Sequence, residues 1–203
     1  MNRITRLASA SLLLSALATG FAWADIKGSA HDFSTKSWSA GQLCLICHTP
    51  HDGKTSVVPL WNRTTTTTTF TLYSSPTFNA SAGQPSGASK ACLSCHDGTV
   101  ALDSYGGNTG TTFLAGRTLL SNDLSNDHPI SFVYDAALAG ADGGLRNPAT
   151  APSGLNGTIQ QDLLFDNSME CASCHDVHNS HSQPSLLVKS NAGSALCLTC
   201  HNK

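Results

Sequence analysis

The sequence predicts a fold that is mostly coil, with short α-helices and little β structure, wrapped around a centre that its own side chains do not supply. Three observations lead there. Aromatic residues make up 6% and charged residues 12% of the 203 positions, while there are 17 glycines and 8 prolines. Such a chain is short of the bulky side chains that offset the entropy of folding. All eight cysteines fall in four copies of one five-residue pattern. Between the copies lie long turn-rich stretches with no apolar periodicity.

Taken in order, the first 24 residues form a basic start (Arg3, Arg6), an apolar run from Leu7 to Ala18 and a small-residue close at Ala22-Trp23-Ala24. This reads as a secretory signal peptide, with a run too short to span a bilayer. No cysteine stands at the cleavage point to be lipidated, and no later segment is apolar enough to span a membrane. The mature chain is then residues 25–203, outside the cytoplasm. Loss of two arginines and no acid takes the formal charge from −2 to −4. That leaves no basic patch for nucleic acid.

The repeated pattern is C-x-x-C-H: Cys44-Cys47-His48, Cys92-Cys95-His96, Cys171-Cys174-His175 and Cys197-Cys200-His201. This is the attachment signature of c-type haem. Thiols three apart on one helical turn share a face, so both reach the vinyl groups of one porphyrin. The next histidine is the proximal iron ligand. Structural zinc does not need a histidine after each second cysteine. A disulfide framework does not explain four repeats of one pattern, and a thioredoxin-like pair needs a single motif in a βαβ setting. The sequence thus predicts four covalently bound haem c groups, with about 45 residues for each. Porphyrins form the centre, and haem attachment is coupled to folding.

Short helices are expected around the motifs, at 39–48, 88–96, 167–177 and 193–201. The threonine run at 64–69 reads as a short strand or a solvated loop. The stretches 105–112 and 140–157 read as loops. Haem pairs are expected over about 25–140 and 158–203.

Nine histidines leave five beyond the proximal four: His31, His51, His128, His178 and His181. Only one methionine, Met169, lies beyond the leader, and packing suits it better than ligation. Four bis-histidine irons with one spare histidine are the economical solution. The distal candidates are His31, His51, His128 and His178. His181, in polar "NSHSQP", is the expected surface histidine. Irons ligated on both faces pass electrons and bind no substrate. The chain therefore reads as a non-enzyme.

His51 and His178 each stand three residues past a proximal histidine, so neither can cap the haem held by its own segment. Each must serve a different, nearby haem. His178 can reach back to the first pair. His51 has no preceding pair in its own chain, so it either folds onto another haem of its subunit or ligates a haem of a neighbour. The second arrangement is head-to-tail, and head-to-tail contacts that do not close make filaments.

Through "AHDF", "CLICHTPH", "CLSCHDGT", "DHPISF", "CASCHDVH" and "LCLTCH", the chain resembles the multihaem c-type cytochromes of the paired C-x-x-C-H kind. Within them it is most similar to the tetrahaem, filament-forming outer-surface cytochromes of metal-reducing bacteria. His181 is an addition to their "CHDxH" context. The resemblance implies low-potential bis-histidine haems in a continuous stack of four that touch across subunit boundaries. It also implies an outer-surface or extracellular location, other redox proteins as partners, and electron export to acceptors such as metal oxides. A soluble monomeric shuttle, periplasmic or on the outer surface, is the alternative. A multihaem reductase with an open iron is the third reading, which the surplus of histidines opposes.

Overall fold

The computed structural model describes residues 25–54 and 56–202. The predicted leader, residues 1–24, lies outside them. Most of the described chain is turn and coil, with four short α-helices, four single 3-10 turns and one two-stranded antiparallel sheet. Among the described residues, no helix is long and apolar enough to cross a membrane.

The longest helix, α1 (Gly87–His96), carries the second motif. Its Ala, Lys and Leu residues favour helix, and Gly98 (φ 81°) stops it by taking the left-handed conformation just beyond. Helix α2 (Ala136–Asp142) starts at Asp135, whose carboxylate caps the Leu138 amide at 2.8 Å. Helix α3 (Ile159–Leu163) is opened by a capping box between Thr158 and Gln161. Helix α4 (Cys197–Cys200) is one turn around the fourth motif. Strands β1 (Phe132–Val133) and β2 (Ser168–Met169) pair antiparallel, Phe132 opposite Met169.

Four expectations are corrected. The predicted helix 39–48 is a string of turns, because Ala40 (φ 49°) and Gly41 (φ 73°) are both left-handed. The predicted helix 167–177 is β2 followed by a 3-10 turn at Cys171–Ser173. Asp166 and Asn167 (φ 50° and 63°) turn the chain back on itself, so it reaches Cys171 extended. The predicted helix 193–201 is split into a 3-10 turn (Ala192–Ser194) and α4. The stretch 140–157 is not all loop, since α2 runs into it.

The threonine run has no regular secondary structure and belongs to neither strand. Side chains tie it to α1: the Thr66 amide donates to Ser94 Oγ at 2.9 Å, and its hydroxyl donates to Asp97. The chain also has an apolar cluster of its own, more than the composition suggested. Phe132, Tyr134, Ile159, Leu163, Leu164, Met169, Val188 and Leu196 pack together under the last two motifs. Met169 sits in that cluster. Phe70, Leu93 and Leu124 form a smaller one beside α1.

Candidate functional site

Each motif folds into one tight turn. The Cys44 carbonyl accepts from the Cys47 and His48 amides at 3.1 and 2.9 Å. The Cys171 carbonyl accepts from Cys174 and His175 at 3.2 and 3.0 Å, and that of Cys197 from His201 at 3.0 Å. Cys92 to His96 is the last turn of α1. The residue before the second cysteine is the anchor: Ile46, Ser94, Ser173 and Thr199 are 0, 0, 1 and 7% exposed.

A returning segment then pairs with each histidine. His48 bridges Trp61, His175 bridges Leu187 and His201 bridges Leu145, all antiparallel. The Leu120 amide likewise donates to the His96 carbonyl at 2.7 Å. Two residues before each of three of these partners, a backbone carbonyl meets the imidazole. His48 Nδ1 lies 2.8 Å from Pro59 O, His96 Nδ1 2.8 Å from Thr118 O, and His175 Nδ1 3.0 Å from Ser185 O. His128 Nδ1 lies 2.9 Å from Pro129 O. A carbonyl only accepts, so each Nδ1 carries the proton and each Nε2 presents its lone pair. This is how a metal-ligating imidazole is oriented and made basic. Two return segments carry strain at the same place, with Leu60 and Leu186 both left-handed (φ 56° and 56°).

The histidines meet in twos. His31 faces His96 with ring centroids 6.2 Å apart, His48 faces His178 at 6.2 Å, and His128 faces His201 at 6.4 Å. Two metal–imidazole bonds of about 2 Å each put the centroids of opposed rings roughly 6 Å apart, so each gap fits one iron. Among the described residues, no three His, Cys, Asp or Glu side chains converge as a metal cage. Burial, followed by the charges of His96 and His175, pushes His31 down to about 4. It is therefore neutral and ligand-ready at pH 7. The ring contacts put no second imidazole across from His175, His51 or His181 among the described residues.

All eight cysteines are free thiols. Burial pushes Cys47 and Cys200 up to about 11 and raises Cys95 and Cys174. A hydrogen bond to Cys171, then burial, raises Cys92 as well. A hydrogen bond to Cys92 lowers Cys171. Thiols held protonated, as the five raised ones are, are the poorer nucleophiles. The sulfurs also adjoin from motif to motif. Cys47 feels the charge of Cys95, Cys92 bonds Cys171, and Cys174 feels Cys197. The donor set of each turn, two thiols and one imidazole, fits a covalently attached haem.

The predicted pairs of motifs are interlocked. His178, from the third motif's segment, faces the first motif's His48, while His128, ahead of the third motif, faces the fourth motif's His201. The sequence reading missed the return segments. Their signal is a repeated tripeptide, Pro59-Leu60-Trp61, Thr118-Leu119-Leu120 and Ser185-Leu186-Leu187.

A family model described as a doubled CXXCH motif matches residues 166–203, which hold the third and fourth motifs. No curated protein matches the chain. The matched motif and the turns that carry it indicate covalently bound c-type haem and the electron-transfer role of a multihaem cytochrome.

Proposed function

We propose that the chain carries electrons along four haems and works as a subunit of an extracellular conductive filament, exporting electrons to outside acceptors such as metal oxides. Haem, when bound, supplies a one-electron iron couple. The protein's own residues do the rest. The cysteine pairs fix position, and carbonyls on His48, His96 and His175 fix tautomer and basicity. His178, His31 and His128 close the second faces opposite His48, His96 and His201. The observation that carries the reading is the set of three opposed imidazole pairs at 6.2–6.4 Å.

The same count supports assembly. Three pairs within one chain leave His175 to be completed, with His51 and the exposed His181 over. His51 of one subunit serving His175 of the next makes a head-to-tail contact that need not close. A fourth face left open in the working protein is what a reductase needs, and that is the second reading. Electron microscopy of secreted material tests both. Filaments with His51 of one subunit against His175 of its neighbour are expected. A purified monomer with every iron six-coordinate would overturn the cross-subunit contact, and a high-spin fraction that survives assembly would favour the reductase.

A further inference from the structure

The return segments after the first and third motifs carry a cation at the same place. Trp61, bridged to His48, is followed by Asn62 and Arg63; Leu187, bridged to His175, is followed by Val188 and Lys189. Arg63 is 5% exposed. Its Nη1 donates to Ile46 O at 3.2 Å and Leu102 O at 3.1 Å, and its Nη2 to Ala101 O at 2.5 Å. Lys189 Nζ donates to Ser153 O at 2.6 Å and Thr199 Oγ1 at 3.0 Å. Ile46 and Thr199 are the buried anchors of the first and fourth motifs. Gly154 (φ 79°) makes room for Lys189, since a Cβ there would collide with Nζ.

Among the described residues, neither cation forms an ion pair with a carboxylate. Backbone carbonyls and one hydroxyl hold them, and Arg63 Nε is buried without a hydrogen-bond partner. A buried charge held by dipoles alone, as at Arg63, costs stability, and a second, half-buried cation held the same way at the matching position calls for a use. Both act on the attachment sulfurs. Arg63 stands within electrostatic reach of Cys47 and Cys95, and Lys189 within reach of Cys200. Asp97, buried and hydrogen-bonded by Thr66 and Thr99, is the opposing charge at Cys95. The matching position after the fourth motif is the neutral Asn202.

We propose that Arg63 and Lys189 are equivalent charge-setting residues that raise the reduction potential of the haems at the turns they touch. For Arg63 these are the haems at His48 and His96, and for Lys189 the haem at His201. Taking up one electron lowers the charge of a site by one, so a fixed cation in a poorly screened interior favours the reduced state. The inference rests on the electron-transfer reading above.

The test uses the full haem-loaded protein and its variants Arg63→Gln, Arg63→Lys, Lys189→Gln and Lys189→Arg. Midpoint potentials are read by mediated spectroelectrochemistry, and haem content by intact mass. Each glutamine variant should shift at least one midpoint potential downward, and each cation-for-cation variant should stay near the parent. Glutamine variants that keep their haems and all their potentials would overturn the proposal. So would lysine or arginine variants that shift as far as the glutamine ones. Should Arg63→Gln fail to load haem, Lys189→Gln at its partly exposed site decides alone. A parent chain that carries no haem would instead sink the electron-transfer reading.

Discussion

Replacing His178 by alanine isolates one axial contact. The ring faces His48 at 6.2 Å, and its Nδ1 lies 3.7 Å from the Asp176 carboxylate with the histidine side chain 47% exposed. An exposed pair of that kind contributes about 0–1 kcal/mol. The bond from the Asp25 amide reaches the His178 carbonyl, which alanine keeps. The fold should therefore survive, and the change should fall on one iron. The His31–His96 and His128–His201 pairs share no residue with it. If four haems are bound and, as proposed, a neighbour completes His175, a dissociated parent has one high-spin iron in its four motifs and the variant has two. Assembled, the counts fall to none and one. Quantitative electron paramagnetic resonance on dissociated and assembled protein measures both. A variant with the parent's high-spin fraction in both states would refute the pairing.

Three further outcomes follow from the packing. Gly53→Ala would put its Cβ 2.5 Å from Leu60 Cα and push the return segment, with the Pro59 carbonyl, away from His48. Denaturant unfolding should show a loss of about 1–3 kcal/mol, the usual cost of overpacking. Tyr134, 1% exposed, donates to Arg146 O at 2.5 Å, and Tyr134→Phe should cost about 0.5–1.5 kcal/mol, the net worth of one such hydrogen bond, read in the same assay. The Ser153 hydroxyl, with the Gly157 and Asn156 amides, holds the Asp162 carboxyl below its ordinary 3.8. A lower value in the folded state means the stabilisation is complete above 3.8 and is lost as pH falls through the folded value. Asp162→Asn should weaken the turn at neutral pH and flatten its acid dependence, followed by hydrogen exchange at the Gly157 amide.

The chemistry was legible in the sequence because thioether and axial bonding demand a fixed local spacing. Cys44 to His48 and its three counterparts can be read from five residues each. Helix α1 was legible for a similar reason, since 88–96 contains no breaker and Gly98 ends it. The other motif helices failed because the turn needs only four residues, and the neighbours set what flanks it. Ala40 and Asp166 take left-handed backbone conformations that propensity does not foresee for alanine or aspartate. Which distal histidine meets which proximal one was open, because His31–His96, His48–His178 and His128–His201 are all brought together by tertiary folding. The return segments were hidden in short apolar tripeptides that look like ordinary coil until the carbonyl of Pro59, Thr118 or Ser185 is seen on an imidazole.

The account stands on a macrocycle bonded at every pair of thiols. Intact mass measurement of the denatured protein tests this directly, because thioether bonds survive unfolding. The account predicts a single species carrying four haems and no free thiol; a species with fewer haems, or one whose extra mass is lost on denaturation, would contradict it.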